Sequence, residues 1–347
     1  MYAKGFPSFL VLVMIIVSSG CDNVEFGGFQ VELRPPAPAV APLVEVVEAD
    51  TAGVPVVPLD LEPILYLLER GDGSAATLTA VAQFTEEGYI PLPDPDETPD
   101  FLTRFSAGRL DPGTEFDVLA RGMRVGTFLA DGTVGLDEST CLIRPSAGGL
   151  LELRPELEGE QHFLALVRSD APVGDSLGSS RAAPTPVAPG NAALGAASVT
   201  AAQIVLQEMN IPWPASIPQA RMDLQPLLTG AEGPMGLAAT FVYGGTLGIG
   251  PVPAVAYGLF IVADLGATRP EPIVAWYQRS GADGKAFPRL LGAQDLYATG
   301  RPDLLLEVFG TDTRSLAVLG ARDDDWSMLY EDPCGAPAAR GGVRSFR

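Results

Sequence analysis

Between Leu59 and Glu331 apolar residues recur at every second position in short runs, and Gly and Asp punctuate them. That period constrains the fold more than any other feature, because successive side chains of a strand point to opposite faces, whereas a helix repeats every three to four residues. Ile64 to Glu69 reads as a strand, Arg70-Gly71-Asp72-Gly73 as a turn, and Thr77 to Phe84 as its partner. Phe116 to Ala120, a turn at Gly122, Arg124 to Leu129, a turn at Asp131-Gly132 and Thr133-Val134 make a meander, followed by Leu150 to Leu153 and His162 to Arg168. Short strands at this spacing predict an antiparallel sandwich or small barrel over residues 59–170.

Ala171 to Ala197 is dominated by Ala, Gly, Ser and Pro, so residues 171–199 are predicted to be a linker. Thr200 and Gln203 form a capping-box pattern ahead of Ile204, Val205 and Met209, which predicts one short helix that Ile211-Pro212 ends. A second β-rich module follows over 200–334, with strands at Ala238 to Tyr243, Ala256 to Ala263, Ile273 to Gln278, Leu304 to Phe309, Leu316 to Leu319 and Trp326 to Tyr330. The predicted class is therefore all-β, mostly antiparallel, in two modules. Residues 335–347, rich in Gly, Ala and Arg, read as a disordered tail.

The N-terminus carries an address. Lys4 precedes an almost wholly apolar stretch from Phe6 to Val17, and Ser18-Ser19-Gly20-Cys21 follows. This order of charge, short apolar run and small residues is that of a secretory signal over residues 1–20, and the run is too short for a spanning helix. Small residues ending in a cysteine resemble the lipobox of bacterial lipoproteins, with Ser18 standing where that family prefers Leu or Val. The resemblance implies a diacylglycerol thioether on Cys21, with a further acyl chain such as palmitate on the new amino terminus. Two or three chains anchor stably, at about 0.8 kcal/mol per buried methylene. Residues 21–58 hold Pro35, Pro36, Pro38, Pro42, Pro55 and Pro58, the composition of a stiff tether.

The formal charge of −21 argues against a nucleic-acid partner, since so acidic a body repels phosphate backbones. Lys4 and Lys285 are the only lysines. Cys141 and Cys334 are the only cysteines besides Cys21; the pair reads as a disulfide in an oxidising compartment or as two buried thiols.

Motifs with chemical content are few. Asp264-Leu265 leads through Arg269-Pro270-Glu271 to Ile273-Val274, and Asp295-Leu296 leads through Gly300-Arg301-Pro302-Asp303 to Leu304-Leu305. This echo resembles the D-x-D-x-D-G-x-x-D loop of FG-GAP and VCBS-type repeats, which build propeller blades. The resemblance implies propeller-like hairpin repeats over about residues 255–331 and Ca2+ held by loop carboxylates, here Asp295 and Asp303. Tyr297 and Thr299 replace two ligand positions, which makes a poor cage. Gly174-Asp175-Ser176-Leu177-Gly178 spells the GDSL block of a serine hydrolase family, which would make Ser176 a nucleophile. That family's C-terminal histidine is missing, the only histidine being His162 upstream, which alternates with Phe163 and Leu164 and reads as structural or exposed. Acidic runs at Asp94 to Asp100, Glu156 to Glu160 and Asp323 to Asp325 read as solvated faces.

These features predict a non-catalytic envelope lipoprotein with a structural or protein-binding role, held to a membrane by its lipid among other envelope proteins. An envelope hydrolase using Ser176 or a carboxylate pair, and a calcium-stiffened adhesion module, are the rivals. No cofactor other than that Ca2+ is implied, and no small-molecule ligand is identified.

Overall fold

The computed structural model describes residues 23–26, 29–32, 56–61, 63–120, 123–157, 159–168, 190–228, 235–265, 268–281, 284–297, 299–322, 325–334 and 342–346. The predicted signal peptide, Cys21, most of the predicted tether, the predicted linker up to residue 189 and Ser176 lie outside them. Residues 1–54 and 55–347 form two separate units. In the first, β1 (Asn23–Phe26) and β2 (Phe29–Glu32) make an antiparallel hairpin.

The second unit is all-β in class and almost wholly antiparallel. Its first part winds β3 (Ile64–Arg70), β4 (Ala75–Thr85), β5 (Gly88–Ile90), β6 (Glu115–Ala120), β7 (Met123–Asp137), β8 (Arg144–Leu153) and β9 (His162–Val167) into one sheet. The order is β3-β9-β6-β7-β8-β4, and β3 also pairs with β4, so six strands close into a barrel with β5 appended to β4. Closure removes the barrel's free edges. Tyr66, Leu78, Phe116, Phe128 and Phe163 fill the interior, joined by Phe101 and Phe105 of α1 (Phe101–Ser106).

One predicted reversal is absent. The turn expected at Asp131-Gly132 is a bulge within β7, and the strand pairs with β8 on both sides of it. Asp131 Oδ1 accepts from Thr133 N at 2.7 Å and Gly132 takes φ 86°, so the irregularity bends the strand without turning it back.

After the undescribed stretch comes α2 (Asn191–Glu208), which begins nine to ten residues before the predicted helix start near residue 201. Its first half was assigned to the linker. Ala is the strongest helix former, however, and Leu194, Ser198, Ala201, Ala202 and Val205 fall at helical spacing and are buried. Thr200 caps nothing: its hydroxyl donates to Ala196 O inside the helix. A short α3 (Ile217–Ala220) follows.

Two meanders complete the unit. The first has β10 (Arg221–Leu228), β11 (Met235–Tyr243), β12 (Tyr257–Asp264) and β13 (Glu271–Arg279) in sequence order, plus β18 (Val343–Ser345) beside β13. The second has β14 (Phe287–Gln294), β15 (Asp303–Phe309), β16 (Arg314–Arg322) and β17 (Asp325–Glu331). The residues of β18 were predicted to be disordered tail. They are held because Val343 to Ser345 pair with β13 and Ser345 Oγ accepts from Trp326 N at 2.8 Å.

The layers follow from alternation along β12. Phe260 and Val262 face the second meander with Leu304, Leu306 and Leu319, while Leu259 and Ile261 face α2. The second meander's other face, with Leu305, Leu316 and Val318, meets Leu65, Val81 and Leu164 on the barrel's outside. Helix, sheet, sheet and barrel wall thus stack in that order. Strands covered on both faces need continuous apolar runs, and each fully buried Leu, Ile or Phe contributes about 1.5–3 kcal/mol.

A covalent and polar clamp closes the barrel onto the second meander. Cys141, in the β7–β8 loop, and Cys334, after β17, form a disulfide with Cα atoms 5.9 Å apart. Beside it Arg144 and Asp332, both almost fully buried, form a salt bridge. Asp332 also accepts from Tyr330 OH and from Leu316 N, each at 2.7 Å. Cys141 N donates to Arg314 O at 2.8 Å. Lys285 is buried too, with Nζ donating to Gly248 O and lying 5.3 Å from the centre of the Phe287 ring.

Candidate functional site

A cleft of about 460 Å3 opens where the barrel meets the edges of both meanders. Strands β10 and β14 are each an outer strand of their sheet, and β6 and β9 supply the barrel side. Pro226 in β10 and Pro288 in β14 suit edges, since proline has no N–H to give a second neighbour. Three of the four strands carry a register shift here, at Val118/Leu119, Arg221/Asp223 and Leu290/Gly292. Bulges bend a strand and re-aim its side chains, so the cleft is shaped by irregular backbone on three sides. Gly292 lets β14 approach the barrel: a Cβ there would lie 2.8 Å from Leu164 Cγ.

Leu119, Leu227 and Leu291 supply apolar wall, and Glu160, His162, Asp223, Gln225 and Arg289 supply polar groups. Gln225 ties two edges together, its Nε2 donating to Asp223 Oδ2 at 3.0 Å and to Leu290 O at 2.9 Å. Behind the cleft Glu307, with its side chain only 3% exposed, forms salt bridges with Arg289 and, at 2.7 Å, with Arg314. Arg289 also lies 5.4 Å from the centre of the Phe309 ring, and Arg314 Nε reaches the barrel loop at Ser139 O, 2.6 Å away.

Burial disfavours the charged form of two groups here. It pushes the Asp223 carboxyl above its usual range, against the Gln225 hydrogen bond and the positive fields of Arg289 and His162. It pushes His162 below its ordinary value, with Arg289 and Arg314 adding to the effect and Glu69 and Glu307 opposing it. No Ser, Thr, Cys, Lys or Tyr lies on the described lining, so the cleft offers acid–base and hydrogen-bonding groups and no hydroxyl, thiol or amine nucleophile.

The residues singled out in the sequence fall elsewhere, His162 and Glu160 excepted. Asp303 is buried between strands, accepting from Tyr89 OH at 2.8 Å and from Arg322 Nη1 at 3.1 Å. Asp295 closes its own turn, Oδ1 accepting from Thr299 N at 2.9 Å and Oδ2 from Gly300 N at 2.7 Å. Among the described residues no group of three or more His, Cys, Asp or Glu is placed to hold a metal ion. Arg70-Gly71-Asp72 lies in the β3–β4 turn, where Gly71 N donates to Ala75 O and Ala75 N to Asp72 O. Asp223, Gln225 and Arg289 carry no sequence motif. Comparison with protein-family models, curated proteins and solved structures gives no match.

Proposed function

We propose that this protein is an exported, lipid-anchored envelope protein whose folded body has a structural or protein-binding role. The observation that supports it most is the Cys141–Cys334 disulfide, because such bonds persist in oxidising compartments and are rare in the cytosol of mesophiles. It agrees with a leader that ends in Gly20-Cys21. A body layered on three interfaces and clamped across one of them suits a part that keeps its shape at a membrane surface. Metabolic labelling with palmitate and membrane fractionation test the anchor. Cys21→Ser is expected to abolish the label and either release the protein or leave it unprocessed. Unchanged membrane association and mature mass in that variant would end the lipoprotein reading.

One observation favours a second reading, a carboxylate-dependent envelope hydrolase: Asp223, raised above the usual carboxylate range by burial, shares a cleft with Glu160 and His162. Hydrolysis of glycoside or ester substrates that disappears in Asp223→Asn would favour it over the binding role.

A further inference from the structure

We propose that the cleft between barrel and meanders binds a small organic cation, an ammonium group on a compact apolar frame, with Asp223 as its counter-ion. The site is independent of the anchor and of any role at the membrane.

The charges around the cleft are unequally committed. Arg289 and Arg314 both face Glu307, which is buried between them. His162 is pushed toward its uncharged form by burial and has Glu69 Oε1 4.0 Å from its Nε2. Asp223 is different: its carboxylate accepts from the uncharged Gln225 side chain and from the Leu224 backbone, feels Arg289 only at a distance, and forms no salt bridge with a described residue. A carboxylate drawn out of water without a counter-ion is costly, and a cation seated beside it recovers that cost. An anion would meet the opposite conditions. It would find Arg289, the arginine on the lining, already bridged to Glu307, with Glu160 and Asp223 also on the lining.

The remaining surface sets the rest of the ligand. Leu119, Leu227 and Leu291 line the cleft with Asp223, and a volume of about 460 Å3 falls in the range of roughly 300–1,000 Å3 that small-molecule sites occupy. Gln225 acts as a positioning residue, its amide bridging the carboxylate and the Leu290 carbonyl and so fixing where the carboxylate sits. Bulges on three of the surrounding strands, one of them between Arg221 and Asp223 itself, are the kind of backbone feature that aims a side chain into a site.

Three phenylethyl probes separate charge from shape, titrated calorimetrically into the full-length chain: 2-phenylethylamine, its isostere 2-phenylethanol, and the slightly larger acid 3-phenylpropionate. The amine is expected to bind saturably at one site, with the alcohol at least about tenfold weaker and the acid not bound. Asp223→Asn keeps the volume and an acceptor for Gln225; it is expected to weaken the amine at least about tenfold and leave the alcohol unchanged. The probe series on the unaltered chain stands even if that variant misfolds. Tighter binding of the acid than the amine, no saturable binding of the amine, or equal amine affinity in a folded Asp223→Asn protein would each overturn the proposal.

Discussion

Replacing Asp332 by Ala strips three donors at once. Its Oδ1 accepts from Arg144 and from Tyr330 OH, and its Oδ2 from the backbone N–H of Leu316. Arg144 is 1% exposed, so the variant leaves a guanidinium buried without its counter-charge. Breaking a buried ion pair from one side costs about 3–5 kcal/mol, and an orphaned buried N–H another 1–3 kcal/mol, with partial overlap between the two. We expect Asp332→Ala to destabilise the protein by about 4 kcal/mol, a large share of a typical total of about 5–15 kcal/mol. Arg144→Met leaves Asp332 with two neutral donors and is expected to cost about 2–3 kcal/mol. In the double variant neither charge remains, so its cost should fall below the sum of the singles by about 2–3 kcal/mol. Urea unfolding of the four oxidised proteins, followed by circular dichroism, gives these values against a common cross-linked unfolded state. Single costs that add within about 0.5 kcal/mol, or an Asp332→Ala cost under about 1 kcal/mol, would refute the assignment of this pair as a coupled buried clamp.

Two further outcomes bear on the cleft and the disulfide. Because the folded-state pKa of Asp223 is raised by burial, its ionisation penalises folding above that pKa, and the penalty vanishes below the unfolded value near 4. Asp223→Asn should therefore be the more stable protein at pH 7, with its advantage shrinking as the pH falls to that of the unfolded carboxyl; an advantage that grows on acidification would show the sign to be wrong. With a protease site engineered between Arg168 and Gly190, the cleaved protein should run as one species on a non-reducing gel and as two after reduction, and separation without reductant would exclude the Cys141–Cys334 bond.

What could be read in the sequence depended on where a strand lies in its sheet. Central strands such as β12 and β15, covered on both faces, are dominated by Val, Leu, Ile and Phe, and their predicted limits lie close to the observed ones. The two edge strands that border the cleft, β10 and β14, escape that reading, and the reason is the same property that makes the cleft. Arg221 to Leu228 contains Pro226, and Phe287 to Gln294 contains Pro288 and Gly292, residues that argue against a strand interior and are accepted only at an edge or bulge. The polar groups of the site ride on those strands, so Asp223, Gln225 and Arg289 came with no motif. His162 sat in a recognisable strand, yet its position on the cleft depends on packing between barrel and meanders that no local pattern encodes. The disulfide was half legible: two cysteines suggested it, but its geometry needs both modules in place.

The burial of Lys285 has a chemical consequence for the whole surface. Apart from Lys4 near the N-terminus, it is the only lysine, and it is 1% exposed with its ammonium on the Gly248 carbonyl. The folded body from residue 56 onward thus presents arginine as its only permanently charged cation. Reagents and enzymes that act on side-chain amines, whether by acylation, by sugar condensation or by isopeptide cross-linking to a cell wall, find nothing on it to modify. The folded body thus offers no exposed lysine through which a covalent bond could hold it in place.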